Sequence, residues 1–309
     1  MTAAAPPPPD LLEEPAPGGD PAGARPEPES AAGPAADAVT VIRPPGAWPV
    51  PDLGELWRHR DLLALLTLRS VAVRYRQSVL GVGWAVVRPV ASVLIFTLIF
   101  GGAAGFAEDV DVPYPLFAYL GLLPWNFFAA ALAGTTGSVV SGGDMLTKVY
   151  FPRLVLPLSA VAGQFPVFLA IGAMTGLFML WYGYAPTVYM LALPLLLLIV
   201  LATAVGASCW ATALSVQFRD INHGSQFAIR MLMYSGPVVY PLTVVDARWH
   251  RLWAVNPMVG VCEGFRAACG VRADMPWDLV GVGAAVSLAM LVSGVLFFVR
   301  RERLFADVA

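Results

Sequence analysis

At 309 residues, 58% hydrophobic and only 13% charged, with a mean hydropathy of +0.68, the chain is too apolar for an ordinary soluble domain, where charged residues run nearer ~25%. The formal net charge of −2 says nothing useful about partners, because nine of the 21 acids fall ahead of Leu56 while the arginines cluster at the ends of apolar runs; no nucleic-acid partner is expected. The single lysine, Lys148, follows Thr147 where a phosphate-binding loop needs glycine, and Val149 stands where it needs a hydroxyl, so the chain is not expected to hydrolyse ATP by that route.

Residues 1–45 are rich in Ala, Pro, Gly and acids and poor in residues able to bury surface, which predicts a disordered cytoplasmic tail ahead of a transmembrane domain over 46–309. The tail has no basic start followed by an apolar core, so it is not expected to act as a secretory signal. From 53 to 77 a Leu-rich pattern carries arginines toward both ends and predicts an amphipathic interfacial helix. The stretch Arg69–Phe100 then turns from basic to apolar. Arg69, Arg74 and Arg76 precede the run, Arg88 lies about a turn inside it, and Trp84 and Pro89 mark headgroup depth and a bend.

A hydrocarbon core of ~30 Å takes ~20 helical residues. The apolar runs accordingly predict an all-α membrane protein with six transmembrane helices, near 84–104, 114–138, 157–181, 187–214, 226–245 and 279–299. Thirteen basic residues fall on one side of this arrangement between Leu56 and the C-terminus, namely six in 58–88, Lys148, Arg153, Arg219, Arg230, Arg300, Arg301 and Arg303. Four fall on the other: Arg248, Arg251, Arg266 and Arg272. Positive charge collects on the cytoplasmic face, which predicts cytoplasmic N- and C-termini.

The loop 141–157 holds a short helix expected over Thr147–Phe151 and ended by Pro152, with Lys148 and Arg153 beside it and Tyr150 and Phe151 as an apolar knob. Such a loop is suited to being pushed by another protein. In the fifth span, Gly236, Pro237 and Pro241 break helical regularity at membrane depth, which is tolerated only where protein or water covers the backbone. Segment 246–278 predicts a helical hairpin at the outer surface, with Asn256 and Pro257 at its break, Trp249, Trp253 and Phe265 suited to outer-leaflet depth, and Glu263 paired with Arg266 at i, i+3. Gln164, Ser208, Thr212 and Gln217 predict hydrogen bonds between helices. Trp84, Phe96, Phe100, Trp125 and Tyr240 are candidates to line a pathway, since aromatic faces stack on sugar rings. The three cysteines, Cys209, Cys262 and Cys269, are expected to be free. His59, His223 and His250 are scattered, and neither a metal site nor a catalytic pair is expected.

Taken together, the blocks RYRQSVLGVGWAVVRPV, LPWNFF, LTKVYFPRLVLPLSAV, ALSVQFRDI, SGPVVYPL and NPMVGVCEGFR resemble, in order and spacing, the permease subunits of polysaccharide-exporting ABC transporters of the ABC-2 type. The resemblance runs from about Leu56 to the C-terminus. Ser70 departs from the acidic residue, and Arg88 from the amide, that the family commonly carries. The resemblance implies a homodimeric permease in the bacterial cytoplasmic membrane that moves a polyprenyl-phosphate-linked glycan of O-antigen, teichoic acid or galactan type. It implies that the ATP-binding subunit is a separate chain holding ATP and Mg, so that no cofactor belongs to this one. It assigns Lys148, Tyr150, Phe151, Pro152 and Arg153 to coupling with that subunit. To an extracytoplasmic re-entrant gate before the last span it assigns Asn256, Pro257, Glu263, Phe265 and Arg266. Arg69, Arg74, Arg76 and Arg88 lie where a lipid-linked phosphate would pass. An ABC-2 exporter of a small hydrophobic compound shares the six-span plan but does not predict the basic interfacial helix or the outer hairpin. A polytopic enzyme acting on lipid-linked sugars would need surface acids, of which Glu108, Asp109 and Asp111 are the one cluster.

Overall fold

The computed structural model describes residues 53–75, 81–136, 151–218 and 220–302, and every regular element among them is helical. The tail 1–45, Arg76, Lys148 and Tyr150 lie outside the described residues, as does most of the helix expected over Thr147–Phe151. Helices α1 (Leu53–Arg58) and α2 (Arg60–Tyr75) are interrupted only at His59. His59 N–H still donates to Glu55 O at 3.2 Å and Leu63 N–H to His59 O at 3.0 Å, so the expected interfacial helix is close to one run.

Five helical segments are long and apolar enough to cross a membrane: Trp84–Ala103, Tyr114–Thr135, Val155–Tyr182, Val188–Gln217 and Trp277–Arg301. The first is α3 (Trp84–Phe96) running into a π-helical turn over Thr97–Ala103. The second is α4 (Tyr114–Thr135). The third joins α5 (Val155–Ala162) to α6 (Phe165–Tyr182), with Gly163 and Gln164 between them and Pro166 early in α6, where a missing N–H costs no helical bond. The fourth is α7 (Leu193–Gln217), entered through a 3-10 turn at Val188–Ala192.

The continuous helix expected over 226–245 is not formed. Helix α8 (Ile221–Ser235) has 15 residues, which at 1.5 Å each reach ~22 Å, and it stops at Gly236, where φ −110° and ψ 155° turn the backbone extended. Gly236–Val239 then run irregularly and buried, as the Gly and Pro residues there predicted. A sixth crossing therefore has to be a broken one.

Beyond it lie the short α9 (His250–Trp253), α10 (Pro257–Ala268) and α11 (Trp277–Arg301). Asn256 caps α10 by accepting from Met258 N–H at 3.1 Å, and Pro257 fills the first helical position, where its missing N–H costs nothing. The expected surface hairpin is corrected here, because all twelve residues of α10 are buried, packed against α4, α7 and α11. Phe265, expected at outer-leaflet depth, is 4% exposed.

Helices α7 and α11 approach until their backbones touch. A Cβ on Gly294 would lie 2.3 Å from Gly206 O, so only glycine permits that crossing. Thr203 Oγ1 and Ser287 Oγ share a hydrogen bond of 2.8 Å, and Trp210 stacks on Phe297 with ring centroids 4.1 Å apart. At the end where α10 finishes, Thr187 Oγ1 donates to Ala267 O and Ala268 O at 3.0 Å. Asp109, Asp111, Thr243, His250 and Arg272 share one cavity of about 280 Å³ with Glu263 and Arg266, so the acidic loop after the first span and the segment before the last one gather together.

Candidate functional site

Two arrangements of arginine stand out. The first is open. Helices α3, α4, α6 and α8 surround a cavity of about 680 Å³ lined by Arg74, Trp84, Arg88, Asn126, Gln164 and Gln226 among small apolar residues. Arg74 Nη1 donates to Gln164 Oε1 at 2.6 Å, across 90 residues of sequence, so Gln164 makes the bond between helices expected of it, and its partner is α2. The Arg88 guanidinium lies 5.6 Å from the Trp84 ring centroid, and among the described residues its side chain has no hydrogen-bond acceptor. Two predicted phosphate-level arginines and one predicted aromatic therefore meet in one place, while Arg69 is exposed on α2 and is not among the cavity's lining residues. Asn126 and Gln226 were missed. A lone amide in an apolar run is a signal for them, but it does not say which face it takes.

The second arrangement is closed. Glu263 and Arg266, 5% and 1% exposed, pair at 2.6 Å as the i, i+3 spacing predicted, and Arg272 Nη1 reaches the other carboxylate oxygen at 2.6 Å. Arg266 also donates to Pro237 O at 2.8 Å, Val238 O at 2.7 Å and Phe117 O at 3.3 Å, and its guanidinium carbon lies 3.6 Å from the centre of the Phe117 ring. The carbonyls left without partners by the break after α8 are thus satisfied by one side chain from α10, as low-dielectric burial demands. Tyr114 Oη donates to Val239 O in the same stretch.

The aromatic candidates divide. Phe96, Phe100, Phe106, Tyr240 and Trp253 follow one another at centroid separations of 5.8, 6.0, 6.5 and 6.2 Å. Phe100 and Tyr240 open on a second cavity, of about 640 Å³, together with Phe106, Tyr234, Trp249 and Trp253. Trp125 does not belong there. It is 2% exposed, tilted against Phe128 in the core of α4, so its part in a pathway is corrected to packing.

On the side of Arg74, Phe151 is 4% exposed and packs with Leu66, Leu154 and Phe298, so the exposed knob expected of it is turned inward. Pro152 is half-buried. Arg153 N–H donates to Glu302 Oε1 at 3.2 Å, and Arg153 Nη1 to Glu302 O at 2.5 Å. Burial raises the Glu302 carboxyl above the usual carboxylate range, opposed by the N–H and charge of Arg153 and reinforced by Glu55. All three cysteines are free and buried, and no group of metal-ligating side chains occurs among the described residues.

Membrane-length helices around a polar cavity, with an irregular buried stretch after α8 re-satisfied by a side chain, are features of multi-pass proteins that carry solutes, since irregular backbone inside such a bundle is kept only beside protein or a water-filled space. The chain belongs to the ABC-2 type transporter family, whose pattern matches residues 61–269. It is 30% identical over 263 residues to the O-antigen export system permease protein RfbA of Myxococcus xanthus, covering 82% of this chain and 97% of that one. Two proteins of the same description from Klebsiella pneumoniae are 25% and 24% identical over 250 residues, covering 80% of this chain and 95% of each.

Proposed function

We propose that this chain is the membrane-spanning permease subunit of an ATP-driven exporter of lipid-linked polysaccharide, and that the cavity holding Arg74 and Arg88 receives the phosphate of the lipid carrier. The observation that carries this reading is Arg88, a permanently charged fork without an acceptor among the described residues, facing a cavity of about 680 Å³ at the basic end of the first span. Paired hydrogen bonds from arginine to phosphate oxygens are strong, and stronger where water is partly excluded. Near-full-length similarity to O-antigen export permeases supports the glycan as cargo.

Charge, exposure and the resemblance to polysaccharide-exporting permeases support the remaining parts of the reading. Helix α8 leaves His223, Gln226 and Arg230 exposed, a face too polar for lipid, which suits a second copy of the chain and a wet pathway between the two. Six crossings per copy, the fifth broken, keep both termini cytoplasmic in the bacterial inner membrane. The separate ATP-binding subunit, holding ATP and Mg, engages the loop that contains Lys148 and Tyr150 and ends at Phe151, Pro152 and Arg153. Helix α10, from its Asn256 cap to Arg266, closes the outer end.

Substrate-stimulated ATP hydrolysis in the purified complex tests the proposal. Arg88→Gln should assemble and keep basal hydrolysis but lose stimulation by polyprenyl-phosphate-linked glycan. Undiminished stimulation would reject Arg88 as the phosphate ligand.

A further inference from the structure

We infer that Glu302 is a positioning residue that ties the cytoplasmic loop to the last membrane helix, so that motion delivered at Arg153 reaches the outer hairpin through α11. The inference rests on the exporter reading above and adds to it the part that carries the motion.

The tie is reciprocal. The Glu302 carboxylate accepts the backbone N–H of Arg153, and the Arg153 side chain donates to the backbone carbonyl of Glu302, at 3.2 and 2.5 Å. Each side chain therefore holds the other residue's main chain, and neither segment moves without the other. One turn before Glu302, Phe298 is fully buried against Leu66 of α2 and Phe151 and Leu154 of the loop's end, which extends the same grip to the interfacial helix.

From there the route is stiff. Helix α11 is locked to α7 by the backbone approach at Gly206 and Gly294, by the Thr203–Ser287 hydrogen bond and by the Trp210–Phe297 stack. Its other end lies directly against α10. A Cβ on Gly260 would meet Leu279 O at 2.6 Å, and one on Gly283 would meet Pro257 O at 3.2 Å. Helix α10 in turn carries Arg266, which holds the carbonyls of Pro237 and Val238 in the broken span. Close-packed backbones transmit displacement because they have no side-chain slack to absorb it. At 1.5 Å per residue the 25 residues of α11 span ~37 Å, the full depth of the membrane.

The test uses the complex of the full chain with its ATP-binding subunit, with Asp274→Cys as an outer reporter; Asp274 is exposed and the three native cysteines are buried. Labelling by an impermeant thiol reagent is compared with and without ATP, alongside export and ATP hydrolysis. Glu302→Ala leaves the bond from Arg153 Nη1 to the Glu302 carbonyl, so it should keep the subunit bound and hydrolysing ATP, weaken the ATP-dependent change in labelling, and lower export about tenfold, the size expected for a lost hydrogen bond to a charged group. Glu302→Gln retains the accepting oxygen and should restore most of both readouts. The double variant Arg153→Ala, Glu302→Ala removes both hydrogen bonds, where each single variant removes one, and should export less than either single variant. An undiminished ATP-dependent labelling change in Glu302→Ala, a Gln variant as impaired as the Ala variant, or a double variant that exports as well as the better single variant would each overturn the tie. A wild-type complex with neither export nor ATP-dependent labelling would overturn the exporter reading as well.

Discussion

The two arginine sites differ in what surrounds the same side chain. Arg266 is enclosed, with a carboxylate, three backbone carbonyls and an aromatic ring meeting its guanidinium. Arg88 stands at an open cavity beside one indole ring. A buried charge with four of its five N–H groups bonded within the fold is a structural fixture, since its partners are part of the fold. A charge whose donors face open space is held ready for an anion. Arginine content therefore says little about role in this membrane domain; the completeness of the acceptor set says more.

Substitutions can break or sharpen that contrast. Arg266→Ala should act hardest, because it strands the buried Glu263 and the carbonyls of the broken span, at a cost of roughly 3–5 kcal/mol. Thermal unfolding of the detergent-purified protein would show it as loss of the folded species or a large fall in Tm, and Arg266→Lys should recover little because an ammonium cannot reproduce the fork. Next comes Glu263→Gln, which keeps an acceptor between Arg266 and Arg272 but removes its charge, for about 1–3 kcal/mol. Arg74→Ala should cost about 0.5–1.5 kcal/mol by the same measurement, through its one bond to Gln164. Arg88→Gln should fall within about 0.5 kcal/mol of wild type, as expected of an exposed side chain with no hydrogen-bond acceptor among the described residues. If Arg88→Gln destabilised the fold as much as Arg266→Ala, the distinction between fixture and ligand site would collapse.

Much of this organisation was legible before any coordinates. The apolar runs marked the five membrane-length helices, and Gly236, Pro237 and Pro241 marked the break in a further segment. The break between helices at Asn256 and Pro257 and the Glu263–Arg266 pair followed from residues close together in sequence. The aromatic candidates were read less well. Trp84, Phe100 and Tyr240 do line cavities, whereas Trp125 is core, and an aromatic in an apolar run carries no local sign of which it will be.

What the sequence determined by itself was therefore whatever depends on neighbours along one element: span length from composition, breaks from Gly and Pro, caps and i, i+3 pairs from helical geometry. The tertiary structure decided the rest. Arg74 meets Gln164 across 90 residues, Arg153 meets Glu302 across 149, and Arg266 meets Phe117 O across 149. Phe151 and Phe265 turned inward because distant helices, not adjacent residues, supplied the surface that covers them. Side-chain direction within an apolar run costs the local chain almost nothing either way; the choice was made by which helix packs alongside, and that is a property of the assembled bundle.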